Sequence, residues 1–379
     1  MTPVCISDYR ELARRRLPRV LFDYIDGGAF SESTLRHNVE DFDRVMLRQR
    51  VLRDVSAIDL STRLFGQEMA LPVALAPVGM SGLYARRGEV QAAKAARAAG
   101  VPMCLSTVSI CDIAEVVKGA GAPVWFQLYM IKDRGFMREL LAEARAQGSP
   151  VLVFTVDLPV PGIRYRDART ATGGKSATSS ARTIMDGLCH PEWLWDVQVH
   201  GRPHIFGNLA RAIPEAKGVS DFWSWVGSTF DPGVTWKDIA WVREQWDGPI
   251  VIKGVLDPED ARDAVRAGAD GVVVSNHGGR QLDGAPSSVA ALPAVVDAVG
   301  DRTAVLMDGG VRSGLDVVKA LSLGAKACLV GRPWAWALGA RGEAGVAHML
   351  DILKREMTVA MTLTGCTDVK QASREMLVS

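Results

Sequence analysis

Residues 275–280 read Ser275-Asn276-His277-Gly278-Gly279-Arg280, which sets a base beside a fixed positive charge. An imidazole takes or gives a proton near neutral pH. A guanidinium stays charged and grips a carboxylate through two parallel hydrogen bonds. Gly278 and Gly279 between them let the backbone bend toward a ligand. The combination points to acid–base work on a small carboxylate. The other histidines, His37, His190, His200, His204 and His348, stand away from such company and read as structural or surface groups.

More polar residues end short apolar runs: Ser106 and Thr107, Gln127 and Tyr129, Thr155 and Asp157, Lys253, and Ser275. Two glycine–arginine pieces follow the last runs, Asp308-Gly309-Gly310-Val311-Arg312 and Gly331-Arg332. Glycine admits close approach of backbone N–H groups and arginine supplies charge, so both pieces predict a phosphate cradle rather than plain surface turns. Asp157 has two readings. It orients His277 and stabilises the protonated ring, or it pairs with Arg164 or Arg166.

Such residues need a frame that gathers them. Apolar runs recur at 71–77, 103–107, 124–129, 151–157, 249–254, 271–277, 304–310 and 327–332. They alternate only partly, as strands buried on both faces do, and the Ala-rich helical spacing between most of them predicts parallel βα units. The phrases Gly268-Ala269-Asp270-Gly271-Val272-Val273-Val274-Ser275 and Gly324-Ala325-Lys326-Ala327-Cys328-Leu329-Val330-Gly331 align, each a helix stop followed by a strand, and Ala99-Gly100 plays the same part. A doubly wound open sheet would carry G-x-G-x-x-G after its first strand, which Pro77-Val78-Gly79-Met80-Ser81-Gly82 does not provide. The expected fold is an α/β TIM (β/α)8 barrel, whose strand ends open together on one mouth. We expect one domain over residues 1–379: an N-terminal helical segment at 1–65, a barrel at 66–365, and an insertion or lid at 158–248 after the fourth strand.

That insertion is far longer than a βα loop requires. It holds seven of the ten tryptophans, namely Trp193, Trp195, Trp223, Trp225, Trp236, Trp241 and Trp246. Its first part, 158–185, has five basic residues and one acidic. Either the tryptophans pack over the mouth, or a Trp-rich basic tip touches an anionic membrane surface.

Bulk properties narrow the classes. Lys and Arg total 44 against 43 Asp and Glu, so no global field would hold nucleic acid. Cys5, Cys104, Cys111, Cys189, Cys328 and Cys366 have neither metal-site nor haem-attachment spacing, which predicts a reducing compartment and no structural metal. The opening residues, charged at Arg14, Arg15 and Arg16 and broken by Pro18, are not expected to act as a secretory leader. Nowhere do 18 apolar residues run together, so no spanning helix is expected.

The stretch Ser275-Asn276-His277-Gly278-Gly279-Arg280-Gln281-Leu282-Asp283 resembles the signature of the FMN-dependent 2-hydroxy acid oxidising enzymes, which include glycolate oxidase, flavocytochrome b2, mandelate dehydrogenase and bacterial respiratory L-lactate dehydrogenase. The likeness runs from Asp8 to about Thr364. It leans toward the lactate branch through Phe22-Asp23-Tyr24-Ile25-Asp26-Gly27-Gly28-Ala29, Ala76-Pro77-Val78-Gly79 and Tyr84-Ala85-Arg86-Arg87-Gly88-Glu89.

The resemblance implies FMN held by Ser106, Gln127, Thr155, Lys253 and Ser275, by the main chain at Pro77, Val78 and Gly79, and at the phosphate by Asp308, Gly309, Gly310, Arg312, Gly331 and Arg332. It implies a substrate gripped by Tyr24, Tyr129, Arg164 and Arg280, with His277 as base, Asp157 as its partner and Tyr129 in the catalytic set. Lys253 would stabilise negative charge gathering on the flavin. The implied reaction is oxidation of L-lactate to pyruvate, with electrons leaving through a quinone of the respiratory chain. The implied setting is a homotetramer lying peripherally on the cytoplasmic face of a bacterial inner membrane.

The alternatives are an oxygen-using oxidase, a mandelate dehydrogenase and, more distantly, an FMN-dependent isomerase, which would not need His277 beside Arg280. With Tyr24 so early, no preceding haem domain of the flavocytochrome kind is expected. Where glycolate oxidase has a tryptophan over its substrate, this chain reads Val108-Ser109-Ile110, and Gly79 is expected to leave room for lactate's methyl group or something larger.

Overall fold

A computed structural model describes residues 2–170, 185–216, 218, 225 and 229–378. Among the described residues the chain forms a hairpin, β1 (Thr62–Leu64) and β2 (Gln67–Met69), and eight further strands. These are β3 (Val73–Leu75), β4 (Cys104–Ser106), β5 (Trp125–Tyr129), β6 (Leu152–Thr155), β7 (Ile250–Val255), β8 (Gly271–Val274), β9 (Ala304–Asp308) and β10 (Ala327–Val330). Seven fall inside the expected runs, and β7 passes the end of its run, 249–254, by one residue. They pair in the order β3-β10-β9-β8-β7-β6-β5-β4, and a parallel bridge between Leu75 and Met103 joins the two ends into a closed barrel.

Alternation along each strand divides two apolar interiors. Ala74, Cys104, Trp125, Val153, Val251, Val273, Leu306 and Leu329 fill the barrel, while their neighbours Leu75, Phe126, Phe154 and Ile252 face the surrounding helices. With both faces buried, the strands read as continuous apolar runs. The aligned phrases are helix stops: Gly100, Gly268 and Gly324 all have positive φ, which ends a helix at low cost and turns the chain into β4, β8 and β10. Helix starts are equally local, with the side chains of Asp112, Asp133, Asp257, Ser287 and Ser313 each accepting a backbone N–H of the first turn.

The segment expected to be helical through residue 65 contains helices only at Ile6–Arg16, Arg19–Asp26 and Ser33–Glu40 with a short 3-10 turn after them. The hairpin then stoppers the barrel floor, Leu64 and Met69 joining the interior cluster and Phe65 meeting Trp125 edge-on at 5.9 Å. Its turn, Phe65-Gly66, has positive φ at both residues, the geometry that suits a two-residue hairpin.

Within the insertion, helix Trp236–Gln245 serves as the barrel helix before β7, and Trp193 and Asn208 tie it to the loops at the barrel mouth. Trp193 donates to Leu83 O at 2.8 Å. Asn208 donates to Ser106 O and Ser109 Oγ and accepts from Ile113 N, which fastens the insertion to the turn after β4. Trp193 and Trp246 are buried, and Trp225, Trp236 and Trp241 are partly buried against the core, but Trp195 is 66% exposed. Trp223 lies outside the described residues. Packing thus accounts for most of these tryptophans.

Candidate active site

The stretch after β8 is a turn whose shape comes from its residue types. His277, Gly278 and Gly279 all have positive φ, 58°, 63° and 73°. A Cβ on Gly278 would stand 2.7 Å from Arg332 Nη1, and one on Gly279 2.6 Å from Leu35 N. Asn276 fixes the turn through a reciprocal amide pair with Asn38, 2.8 Å each way, and accepts from Gly279 N at 3.0 Å. His277 N donates to Ser275 Oγ. Its Nδ1 meets Asp157 Oδ1 at 2.8 Å. Because the carboxylate accepts that hydrogen bond, Nε2 is the ring nitrogen left for a ligand. Burial pushes the Asp157 carboxyl up, but the charge and hydrogen bond of His277, with Lys253 behind, outweigh it and hold it below the ordinary carboxylate value. The ion pairs offered as the other reading go elsewhere: Arg164 to Asp167, and Arg166 to Asp26 and Glu32.

Arg280 is locked by the N-terminal helices. Its Nη1 donates to Tyr24 O at 2.6 Å and Gly27 O at 2.8 Å. Arg332 donates to Gly27 O and Gly278 O. The carbonyls of Tyr24 and Gly27 close helix Arg19–Asp26, whose negative end attracts cations. The Arg280 and Arg164 guanidinium carbons sit 4.8 and 5.4 Å from the centre of the Tyr24 ring.

Lys253, buried at the end of β7, lies 3.0 Å from Ser275 Oγ and 3.0 Å from Asp308 Oδ2. Burial alone would lower its ammonium, but Asp308 and Asp157 outweigh that and hold it above the ordinary value. Burial, with repulsion from Arg280 and Arg312, pulls Arg332 well down, and burial brings Arg312 down to about 10. Burial also raises the Tyr129 phenol, helped by Asp157 and Tyr24.

The charges of this mouth do not cancel. Lys253 pairs with Asp308, Arg164 with Asp167, and Asp157 with His277. Arg280, Arg312 and Arg332 pair with no carboxylate among the described residues. A phosphate monoester and one carboxylate would together bring about three negative charges.

Buried polar atoms around the mouth also lack partners among the described residues, Gln127 Nε2, Thr155 Oγ1, Asp308 Oδ1 and Arg332 Nε among them. Buried atoms of this kind are groups a polar ligand could satisfy. Gly309 and Gly310 turn at φ 90° and 87°, opening backbone N–H groups at the N-terminal side of helix Gly314–Ser322. The donor set fits a planar, hydrogen-bonding ring with a phosphate tail.

Of the residues singled out in the sequence, Tyr24, Pro77, Val78, Gly79, Tyr129, Arg164, Lys253, His277, Arg280, Asp308, Gly309, Gly310, Arg312, Gly331 and Arg332 line one cavity. Asp157 and Ser275 stand directly behind it on His277 and Lys253, and Ser106 donates to Gln127 Oε1 at 3.1 Å. A Cβ at Gly79 would come 2.8 Å from Val108 Cγ2, and both residues line the cavity.

Sequence reading missed Tyr84, Leu158, Phe230 and Gln281 in the lining. Gln281 bridges from the signature turn to Asp157 O and Val160 O, and Phe230 lies 5.0 Å from the Tyr129 ring. Gln281 stands within the signature stretch and was within reach of inspection. Tyr84 opens another of the stretches that carry the resemblance, whereas Leu158 and Phe230 carry no local mark.

Comparison with known proteins agrees with this geometry. The family described as FMN-dependent dehydrogenase matches residues 13–379. An L-lactate dehydrogenase of Caulobacter vibrioides (strain NA1000 / CB15N) is 60% identical over 371 residues, covering 98% of this chain and 96% of that protein. An L-lactate dehydrogenase of Chromohalobacter salexigens is 56% identical, covering 98% and 95%. Among solved structures, the monotopic membrane protein (S)-mandelate dehydrogenase superposes with a TM-score of 0.93 at 34% identity, covering all of both chains. A mandelate oxidase gives 0.84 at 39% identity, covering 100% of this chain and 98% of that one. The chain belongs to the FMN-dependent dehydrogenase family.

Proposed function

We propose that this enzyme oxidises L-lactate to pyruvate and passes the electrons to a membrane quinone. The observation that carries the reading is a mouth in which the part-buried Arg280 and Arg164 both lie against the Tyr24 ring while His277, held by Asp157, faces the same space. The relatives named L-lactate dehydrogenase are 55–60% identical, well above the mandelate enzymes at 34–40%, which favours lactate over mandelate.

In this reading Arg280 and Arg164 grip the carboxylate and Tyr24 and Tyr129 complete the substrate's surroundings, so that Cα is fixed before reaction. His277 Nε2 takes the hydroxyl proton. Asp157 keeps the ring in the required tautomer and stabilises it once protonated. Ser106, Gln127, Thr155, Lys253 and Ser275 with the main chain of Pro77, Val78 and Gly79 hold the ring of FMN. Gly309, Gly310, Arg312, Gly331 and Arg332 hold its phosphate, while the Asp308 carboxylate holds Lys253. FMN supplies the two-electron acceptor that no side chain here offers. Lys253 keeps a positive charge at the strand end where negative charge gathers. The purified protein should be yellow and should bleach when L-lactate is added without oxygen, faster than with (S)-mandelate. A colourless protein that takes up no added FMN, or one indifferent to L-lactate, sinks the reading.

The acceptor and setting rest on separate support. A cavity of about 540 Å³, walled by Val156, Pro159, Val234 and Trp236, shares Tyr129 and Leu158 with the mouth and offers an apolar ring a berth beside it. No helix among the described residues is long and apolar enough to cross a membrane. Met185, Leu188, Trp195 and Val199 are each more than half exposed, which suits peripheral contact with the cytoplasmic face of the inner membrane; part of the basic tip, 171–184, lies outside the described residues. Removing or charge-reversing residues within 170–204 should shift the enzyme from membrane to soluble fractions while activity with a soluble dye persists. Unchanged fractionation would favour a purely packed insertion. We assign a homotetramer, which sedimentation checks; exposed Val51, Leu52, Val359 and Leu363 gather where Arg50 N bonds Leu363 O.

A further inference from the structure

Helix Tyr165–Thr170 carries Asp167 in its first turn, one turn beyond Arg164. Asp167 Oδ2 lies 3.2 Å from Arg164 Nε, and both side chains are less than one-fifth exposed. The second oxygen, Oδ1, is sealed from solvent and takes no hydrogen bond among the described residues. A buried carboxylate oxygen without a donor is an unfavourable arrangement that usually has a reason.

Burial pushes the Asp167 carboxyl up in spite of the opposing charges of Arg280 and Arg164; Asp23 and Arg166 are the other charged groups that face it. Asp167 is in turn one of the anions acting on Arg280, which no carboxylate pairs directly among the described residues. One half-satisfied carboxylate therefore addresses both guanidinium groups that the proposed function assigns to the substrate.

We propose that Asp167 is an internal stand-in for the substrate carboxylate, holding Arg164 before a 2-hydroxy acid arrives and yielding it on binding. It is a positioning residue that acts through Arg164. Two carboxylates cannot share two arginines without mutual repulsion, so Asp167 opposes carboxylate binding and sets KM, while the chemical rate stays with His277. The assignment depends on the reading of Arg164 and Arg280 as the carboxylate grip.

The test uses the FMN-loaded enzyme with oxalate as a dead-end carboxylate probe, bound affinity being read by calorimetry. Asp167→Asn keeps the shape and an oxygen for Arg164 but removes the charge. It should tighten oxalate about three- to tenfold, the range expected for removing one like charge from a partly buried site, and lower KM for L-lactate with kcat within about twofold. Asp167→Glu keeps the charge and should show no such gain. An unchanged or weakened oxalate affinity in Asp167→Asn overturns the proposal and leaves Asp167 as a brace for Arg164. Arg164→Met and Arg280→Lys separate the two levels. If neither weakens oxalate, the carboxylate grip itself is wrong; if both do and Asp167→Asn gains nothing, only the stand-in fails.

Discussion

A histidine at φ 58° is held against its own preference, since left-handed backbone is uncommon for a residue with a Cβ. Such strain persists where neighbours over-determine it. Here they do: Asn276 and Ser275 fix the turn below the ring, and Asp157 fixes the ring itself. His277→Gln should therefore fold and remain yellow but lose turnover by a factor on the order of 10² to 10⁴, the usual worth of a positioned base. Asp157→Asn should bind FMN as well and also turn over more slowly, because its amide cannot stabilise the protonated ring. Single-turnover flavin bleaching measures both, and a His277→Gln rate equal to that of the unaltered enzyme removes the histidine from its role.

At the scale of elements, the N-terminal helices are part of the site rather than a preface to it. Arg10 grips Asp26 through two hydrogen bonds, and Arg166 joins Asp26 to Glu32, so the carbonyls that hold Arg280 and Arg332 are braced from two sides. Asp283, the last residue of the signature stretch, accepts from Ser31 N, Ser31 Oγ, Ser33 Oγ and Thr34 N and so caps helix Ser33–Glu40. Asp283→Ala should destabilise the fold by about 1–2 kcal/mol, the worth of a lost cap and its hydrogen bonds. Thermal melting checks the loss; an unchanged midpoint would show that the cap is dispensable.

Gly310 answers to the same contact between elements. At φ 87°, a Cβ there would fall 1.8 Å from Asn38 O. Gly310→Ala should move the phosphate turn off its helix and drop the flavin content of the purified protein; full flavin occupancy contradicts this account.

For the whole molecule, the site's uncompensated arginines link stability to ligand. Stripping FMN should lower the melting temperature, because a ligand bound only by the folded state stabilises it in proportion to the logarithm of its saturation. Inorganic phosphate should restore part of the loss and a neutral osmolyte should not. Carboxylates set the acid limit. Burial raises Asp26, Asp157 and Asp283, but guanidinium groups hold the first below its ordinary value, His277 and Lys253 the second, and donors from Ser31, Ser33 and Thr34 the third. A carboxyl lowered on folding contributes stability that is present above its unfolded value, about 4, and is lost as pH falls through the folded one. Unfolding followed by circular dichroism should therefore set in below about pH 4. Asp167, which burial raises, works in the opposite sense and relieves a little of that loss.

Much of this is legible in the amino-acid sequence alone. The eight strands, the glycines that stop helices, the polar residues at strand ends and the phosphate turns follow from residue type and short spacing, since burial on both faces and positive φ are local demands. Other features were decided only in three dimensions. Nothing in the spacing selects His277 over Arg164 or Arg166 as the partner of Asp157, because all three are cations of fitting reach and only packing sets the distances. Likewise the carbonyls of Tyr24 and Gly27 that lock Arg280 stand more than 250 positions away in the chain, and the stopper hairpin earns its place by filling a barrel that local pattern cannot see. Chemistry was written in the order of residues. Its pairing was settled by the closure of the barrel, which brings groups distant in sequence within hydrogen-bond range.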